Sequence, residues 1–305
     1  MPGIMVHNIT ADRMLEKCNS ETRSITESRH DLFLAGAQAT DCFYFFKYKV
    51  LLNGWRTKMY GWATHHYRPK WFFMYMAKYM KEHYSDSLYS YVMGYISHYA
   101  VDKDVHGYVL EDAPALRAHT QLEQELEVLY SIKQGIDPFK YSREQFLKDC
   151  AIDENENEIG TMHLWLMKNV YRKVLTMEPK DYKKCFSDWA EAFRNIDDPT
   201  EKQRKEILQR NRFLAFDLDC FLFEQPDEIK DHDRFNKYYS ALDKSVEEGV
   251  DYMNLVNDFI KDRITEDELA DSIDNVNLQG NFVTPIEKKL KFMDFFMTNK
   301  EKPPY

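Results

Sequence analysis

A chain of 305 residues, 44% of them apolar and 30% charged, can bury a full hydrophobic core as one large domain or two closely packed ones. A net charge of −10 disfavours non-specific attraction to phosphate backbones and anionic lipid surfaces, which makes nucleic acid a weaker expectation than a small substrate. With 10 glycines, 10 prolines and no sustained alternation of β-branched and polar residues, the composition points to helices and away from strands.

Charges at Asp12, Arg13, Glu16, Lys17, Glu21, Arg23, Glu27 and Arg29 interrupt any apolar core of an export signal in the first 30 positions. No apolar run reaches the roughly 18 residues of a membrane-spanning helix, so no transmembrane segment and a cytoplasmic location are expected. Five scattered cysteines (Cys18, Cys42, Cys150, Cys185, Cys220) without Cys-x-x-Cys spacing read as reduced thiols.

The first strong helix is expected over 31–52, apolar on most sides through Leu32, Phe33, Leu34, Phe43, Phe45 and Phe46, and therefore buried. A second begins after Pro69, where Phe72, Phe73, Met76, Tyr79 and Met80 recur at helical spacing with Trp71 and Met74 beside them. That band is read as core packing, because buried helices need such residues, and not as a lipid-contacting patch. A third helix opens near Ser85 or Asp86, both good N-caps, and carries Leu88, Tyr91, Val92, Tyr95, Ile96 and Tyr99 toward about Leu110. The fourth starts at Pro114 and ends near Gly135. Further helical patterns lie near 142–150, 158–176, 181–195, 199–223, 233–262 and 265–275, separated by polar stretches at 153–157 and 197–200. The basic cluster Lys202, Arg204, Lys205, Arg210 and Arg212 sits among acidic neighbours and is read as a solvated helix face. The expected division is a helical core over 1–135 and a helical extension over 136–305 packed on it within the same structural domain.

Eight of the ten histidines precede residue 120. On the third helix, His98, Asp102 and His106 follow one another at steps of four, which rotates each side chain by only about 40° and stacks all three on one face. His119 and Glu123 repeat that step on the next helix. A lone pair of this kind is expected by chance in so acidic a chain, whereas the triplet is rare. A buried His–Asp hydrogen bond is the competing structural reading. Zinc suits such ligands because it takes imidazole nitrogen and carboxylate oxygen and can keep a position open for water. Successive ligands on one helix are separated by about 6 Å of rise, so the triplet predicts a cluster of ions with Asp102 bridging neighbours.

The order of these residues resembles the zinc-dependent phospholipase C family, which is related to a group of zinc-dependent single-strand nucleases. The resemblance rests on Met5-Val6-His7-Asn8, on the run from Phe33 through Gly36-Ala37 to Asp41, on Gly61-Trp62-Ala63-Thr64-His65-His66, on the stretch from Gly94 through His98 and Asp102 to His106, and on His119-x-x-x-Glu123. It covers approximately residues 1–125. Thr40 stands where the family usually has proline, and Gly107 follows His106 where proline is frequent.

The resemblance implies an all-α bundle with additional C-terminal helices and two or three zinc ions. His98, Asp102 and His65 or His66 would surround one ion, with His65 preferred because it lies four residues after Gly61. His106, His119 and Glu123 would hold a second, and His7 would help hold a third to which Asp102 bridges. Asp41 would lie beside the metal-bound water as ligand or general base. The implied reaction is hydrolysis of a phosphate ester, either a phospholipid headgroup beside an apolar cleft walled by Tyr44, Phe45 or Trp71, or a soluble phosphate acted on by a phosphatase or nuclease. A non-catalytic helical metal-binding protein is the remaining reading. His30, His83, His163 and His232 fall outside the pattern and are expected to be surface or hydrogen-bonded residues.

Overall fold

The structure, a computed structural model, describes residues 3–48, 54–150, 157–172, 178–194, 196–197 and 218–283. Most of the helix expected over 199–223, with its basic cluster, lies outside the described residues, as do the ends of the expected helices at 49–52 and 173–176 and most of both polar stretches. The described residues are helical apart from turns and one isolated antiparallel bridge between Val276 and Phe282.

In chain order the helices are α1 (Ile4–Lys17), α2 (Ser20–Ser28), α3 (His30–Ala37), α4 (Cys42–Phe45), α5 (Trp55–His66), α6 (Pro69–Glu82) and α7 (Asp86–Asp112). They continue with α8 (Leu116–Lys133), α9 (Arg143–Asp149), α10 (Glu158–Tyr171), α11 (Asp181–Phe193), α12 (Asn236–Ile260) and α13 (Glu266–Asp271). None of the described helices is long and apolar enough to cross a membrane. All five cysteines are buried thiols.

The central element is α7, opened by the Ser85 hydroxyl accepting from the Leu88 amide. It is buried on nearly every side because α1, α2, α3, α6, α8 and α12 pack around it. Its crossing with α3 is set by two glycines. A Cβ at Gly94 would lie 1.9 Å from the Phe33 carbonyl oxygen, and one at Gly36 would lie 2.1 Å from that of Tyr91, so the two backbones touch where no other residue fits. The long helix α12 lies against α1, α6 and α7 and contributes Tyr238, Leu242, Val246, Met253 and Val256 to the same core.

Two expectations about the helices are corrected. The helix expected over 31–52 is broken: α3 ends at Ala37, Ala39 adopts a left-handed φ of 40°, and a short α4 resumes at Cys42. The hydroxyls of Thr40 and Thr64, 2.7 Å apart, tie that break to α5, and the apolar pattern runs through it unmarked because both sides are buried. Pro114 precedes the fourth helix by two residues and does not occupy its first position, since α8 starts at Leu116. The Met and aromatic band of α6 does face the core, with Phe72, Phe73, Met76 and Met80 all buried.

Candidate metal centre

Five elements bring ligand-type side chains to one buried region. Helix α7 supplies His98, Asp102 and His106; α1 supplies His7; the break after α3 supplies Asp41; α5 supplies His65; and α8 supplies His119 and Glu123. The glycine crossing makes this possible, because it lets α3 lie close enough to α7 for Asp41 to come within 3.8 Å of His98 Nε2.

Three groups result, in each of which the candidate ligand atoms lie within 4.8 Å of one another: His7, His98 and Asp102; Asp41, His65 and His98; and His106, His119 and Glu123. Asp102 belongs to the first and adjoins the second. Its Oδ1 lies 3.4 Å from His7 Nε2, and its Oδ2 lies 3.4 Å from His98 Nε2 and 3.7 Å from His65 Nε2. Asp41 Oδ1 is 3.0 Å from His65 Nε2. In the third group His119 Nε2 is 2.9 Å from Glu123 Oε1 and 3.0 Å from His106 Nε2.

Backbone carbonyls set how the imidazoles face. His65 Nδ1 donates to the Gly61 carbonyl at 2.6 Å, His98 Nδ1 to that of Ala37 at 3.0 Å, and His106 Nδ1 to that of Leu278 at 3.0 Å. A carbonyl oxygen can only accept, so each Nδ1 carries the proton and each Nε2 turns a lone pair inward. At His65 and His98 it meets carboxylate oxygens, which are acceptors too. Both ring nitrogens of His7, Nε2 of His65 and of His98, Oδ1 of Asp41 and both oxygens of Asp102 are buried without a hydrogen-bond partner. Acceptors facing acceptors in a closed interior cost on the order of 1–3 kcal/mol each unless a cation lies among them. The donor set of imidazole nitrogen and carboxylate oxygen, without thiolate, fits zinc.

Burial lowers the pKa of His98 and of His119 to about 4, and that of His106 well below its ordinary value, so these rings stay neutral near pH 7. At His65 burial pulls down but the adjacent Asp41 carboxylate outweighs it, and the net shift is upward. Burial pushes the Asp102 carboxyl up, yet the facing imidazoles of His98 and His7 hold it well below the usual carboxylate range.

His66 falls outside every group. One step along α5 turns it by about 100° from His65, and its Nδ1 donates instead to the Trp62 carbonyl at 2.7 Å while the ring stacks on that indole at 4.5 Å. Of the expected cleft walls, Tyr44 lies beside the centre, with its ring 5.7 Å from that of His65, whereas Phe45 stacks on Trp189 at 4.9 Å. Trp71 packs against the core.

His163 is fully buried between the hydroxyls of Tyr91 (2.8 Å) and Tyr60 (3.2 Å), and burial lowers its pKa to about 3. Two features had no counterpart in the sequence reading. Glu127, buried one turn beyond Glu123, accepts from the Met5 amide at 2.7 Å and so anchors the start of α1, the helix that carries His7. A four-residue step from Glu123 would have flagged it. Leu278 acts through its backbone, which no residue type announces.

Residues 4–193 match the sequence model of a family described as zinc-dependent phospholipase C. The matched span takes in all three ligand groups and ends before α12. No curated protein and no solved structure matches the chain.

Proposed function

The chain belongs to the zinc-dependent phospholipase C family, and from that premise we propose that it is a zinc-dependent phosphoesterase. His65, His98, Asp102 and Asp41 would hold one ion, and His106, His119 and Glu123 a second. His7, with Asp102 shared between neighbours, would hold a third. The observation that carries this reading is the set of buried ring nitrogens and carboxylate oxygens of His7, Asp41, His65, His98 and Asp102 that face one another with no hydrogen bond satisfying them.

Zinc, when bound, lowers the pKa of water toward neutrality and neutralises charge on phosphoryl oxygens. The protein's own residues supply the rest. The neutral imidazoles of His98 and His119 offer their lone pairs without first losing a proton near pH 7. Asp41, pinned between α3 and α4, is placed to orient the attacking water or take its proton. Tyr44 walls one side of the site. No protein nucleophile is needed, and the buried cysteines are bystanders.

The substrate class is a phosphate ester, with a phospholipid headgroup as the first expectation. The test is metal content of the purified full chain together with hydrolysis of phosphatidylcholine vesicles and of soluble phosphomonoesters and diesters. Two or three zinc ions per chain, and release of a phosphorylated headgroup that chelator abolishes and zinc restores, are the expected results. Cleavage of soluble phosphates alone would reassign the substrate. A chain that takes up no zinc under any condition would end the reading.

A further inference from the structure

The turn after α13, residues 274–283, lies beyond the span that matches the family, yet it reaches the metal centre. We propose that this turn is a built part of that centre, and that the Leu278 carbonyl is the positioning group that aims His106 at the ion held with His119 and Glu123. The inference rests on the zinc reading above and deepens it.

Each well-aimed imidazole of the cluster needs an acceptor behind it. His65 and His98 find theirs at Gly61 and Ala37, inside the matched span. His106 finds one at Leu278, 172 residues away in sequence. The same residue also clasps the end of α5, since the Leu278 amide donates to the His65 carbonyl at 3.2 Å. Leu278 thus ties together two helices that carry ligands of different groups.

The turn is built to hold that position. Asn277 Oδ1 accepts from the amides of Gln279 (3.0 Å) and Asn281 (2.9 Å), and Gly280 takes a left-handed φ of 74° that a side chain would strain. From α7, the Tyr99 hydroxyl reaches the carbonyls of Asp274 (3.2 Å) and Val276 (2.9 Å). Gly107 faces the turn directly. A Cβ there would sit 3.4 Å from the Gln279 carbonyl oxygen, in ordinary van der Waals contact, so the strap lies directly against α7 at this point. The Leu278 side chain is fully buried beneath it.

The experiment uses the full chain, stripped of metal and titrated with zinc against a chromophoric chelator, and in parallel with cobalt(II), whose absorption spectrum reports ligand geometry. Asn277→Ala removes the acceptor that shapes the turn. It is expected to weaken one class of bound ion by roughly ten- to a hundredfold, to alter the cobalt spectrum of that class and to leave the others unchanged. Asn277→Asp keeps the accepting oxygen and is expected to restore both. Gly280→Ala strains the same turn from a second position and is expected to weaken the same ion, which keeps the test alive if Asn277→Ala does not fold.

Unchanged affinity for every ion in folded Asn277→Ala and Gly280→Ala overturns the strap alone, provided the unsubstituted chain binds metal. Equal weakening of all ions, or no rescue by Asn277→Asp, also overturns it, because a merely structural turn would behave so. An unsubstituted chain that binds neither zinc nor cobalt overturns this proposal together with the reading it rests on.

Discussion

Asp102 turns one oxygen to His7 and the other to His98, each at 3.4 Å, whereas His119 belongs to a single ligand group, and this asymmetry separates their roles. On the proposed assignment, Asp102→Ala removes a ligand from two ions while His119→Ala touches a single one. Metal analysis of the purified variants is therefore expected to find His119→Ala short of about one zinc and Asp102→Ala short of more; an equal loss in both would contradict the shared position of Asp102. At this scale the sequence was most informative where chemistry is carried by spacing. The step of four that joins His98, Asp102 and His106 fixes their common face whatever the surroundings. It could not choose between His65 and His66, because adjacent residues differ only in which way the helix is turned, and that depends on packing. The Leu278 carbonyl was out of reach for a different reason: every residue has one, so its role exists only in the fold.

Helix α7 was legible from end to end because its Ser85 cap, its apolar content and its length all agree. Helix α5 was not, since Gly54, Gly61 and an even spread of polar and aromatic residues leave it no marked apolar face. Helices α1 and α2 escaped for a related reason: their charges rule out an export signal but do not advertise a helix. The break at residues 38–41 is the most consequential miss, because Asp41 reaches the centre only through it. That break depends in turn on the α3–α7 crossing. Gly94→Ala would drive a methyl carbon to within 1.9 Å of the Phe33 carbonyl oxygen, so the helices must separate. Denaturant titration is expected to find this variant less stable by roughly 1–3 kcal/mol or more, with zinc content reduced alongside. Stability and zinc both equal to those of the unsubstituted chain would show that the crossing does not set the site.

Across the whole molecule, the family match ends at residue 193 while the core does not. Helix α12 lays Tyr238, Leu242, Val246, Met253 and Val256 into the same interior and ion-pairs Glu248 with Lys103 of α7. A fragment of residues 1–193 is accordingly expected to lack cooperative unfolding and to be degraded rapidly by protease, whereas the full chain resists. A fragment that melts cooperatively and keeps its zinc would make the later helices an accessory. The sequence pointed to the helical character of this second half but gave no sign that it reaches the centre, because contacts between distant segments leave no periodic trace.

The side chains that converge on Asp102 are almost completely shielded from solvent, with Asp102 and His98 at 0% exposure and His7 at 1%. A guest enclosed so thoroughly does not come and go through an open door. Its arrival and its departure would both be coupled to a local opening of the bundle. Exchange would then be slow but reversible, so that a chelator withdraws the ion, and added zinc restores it, at the pace of that opening.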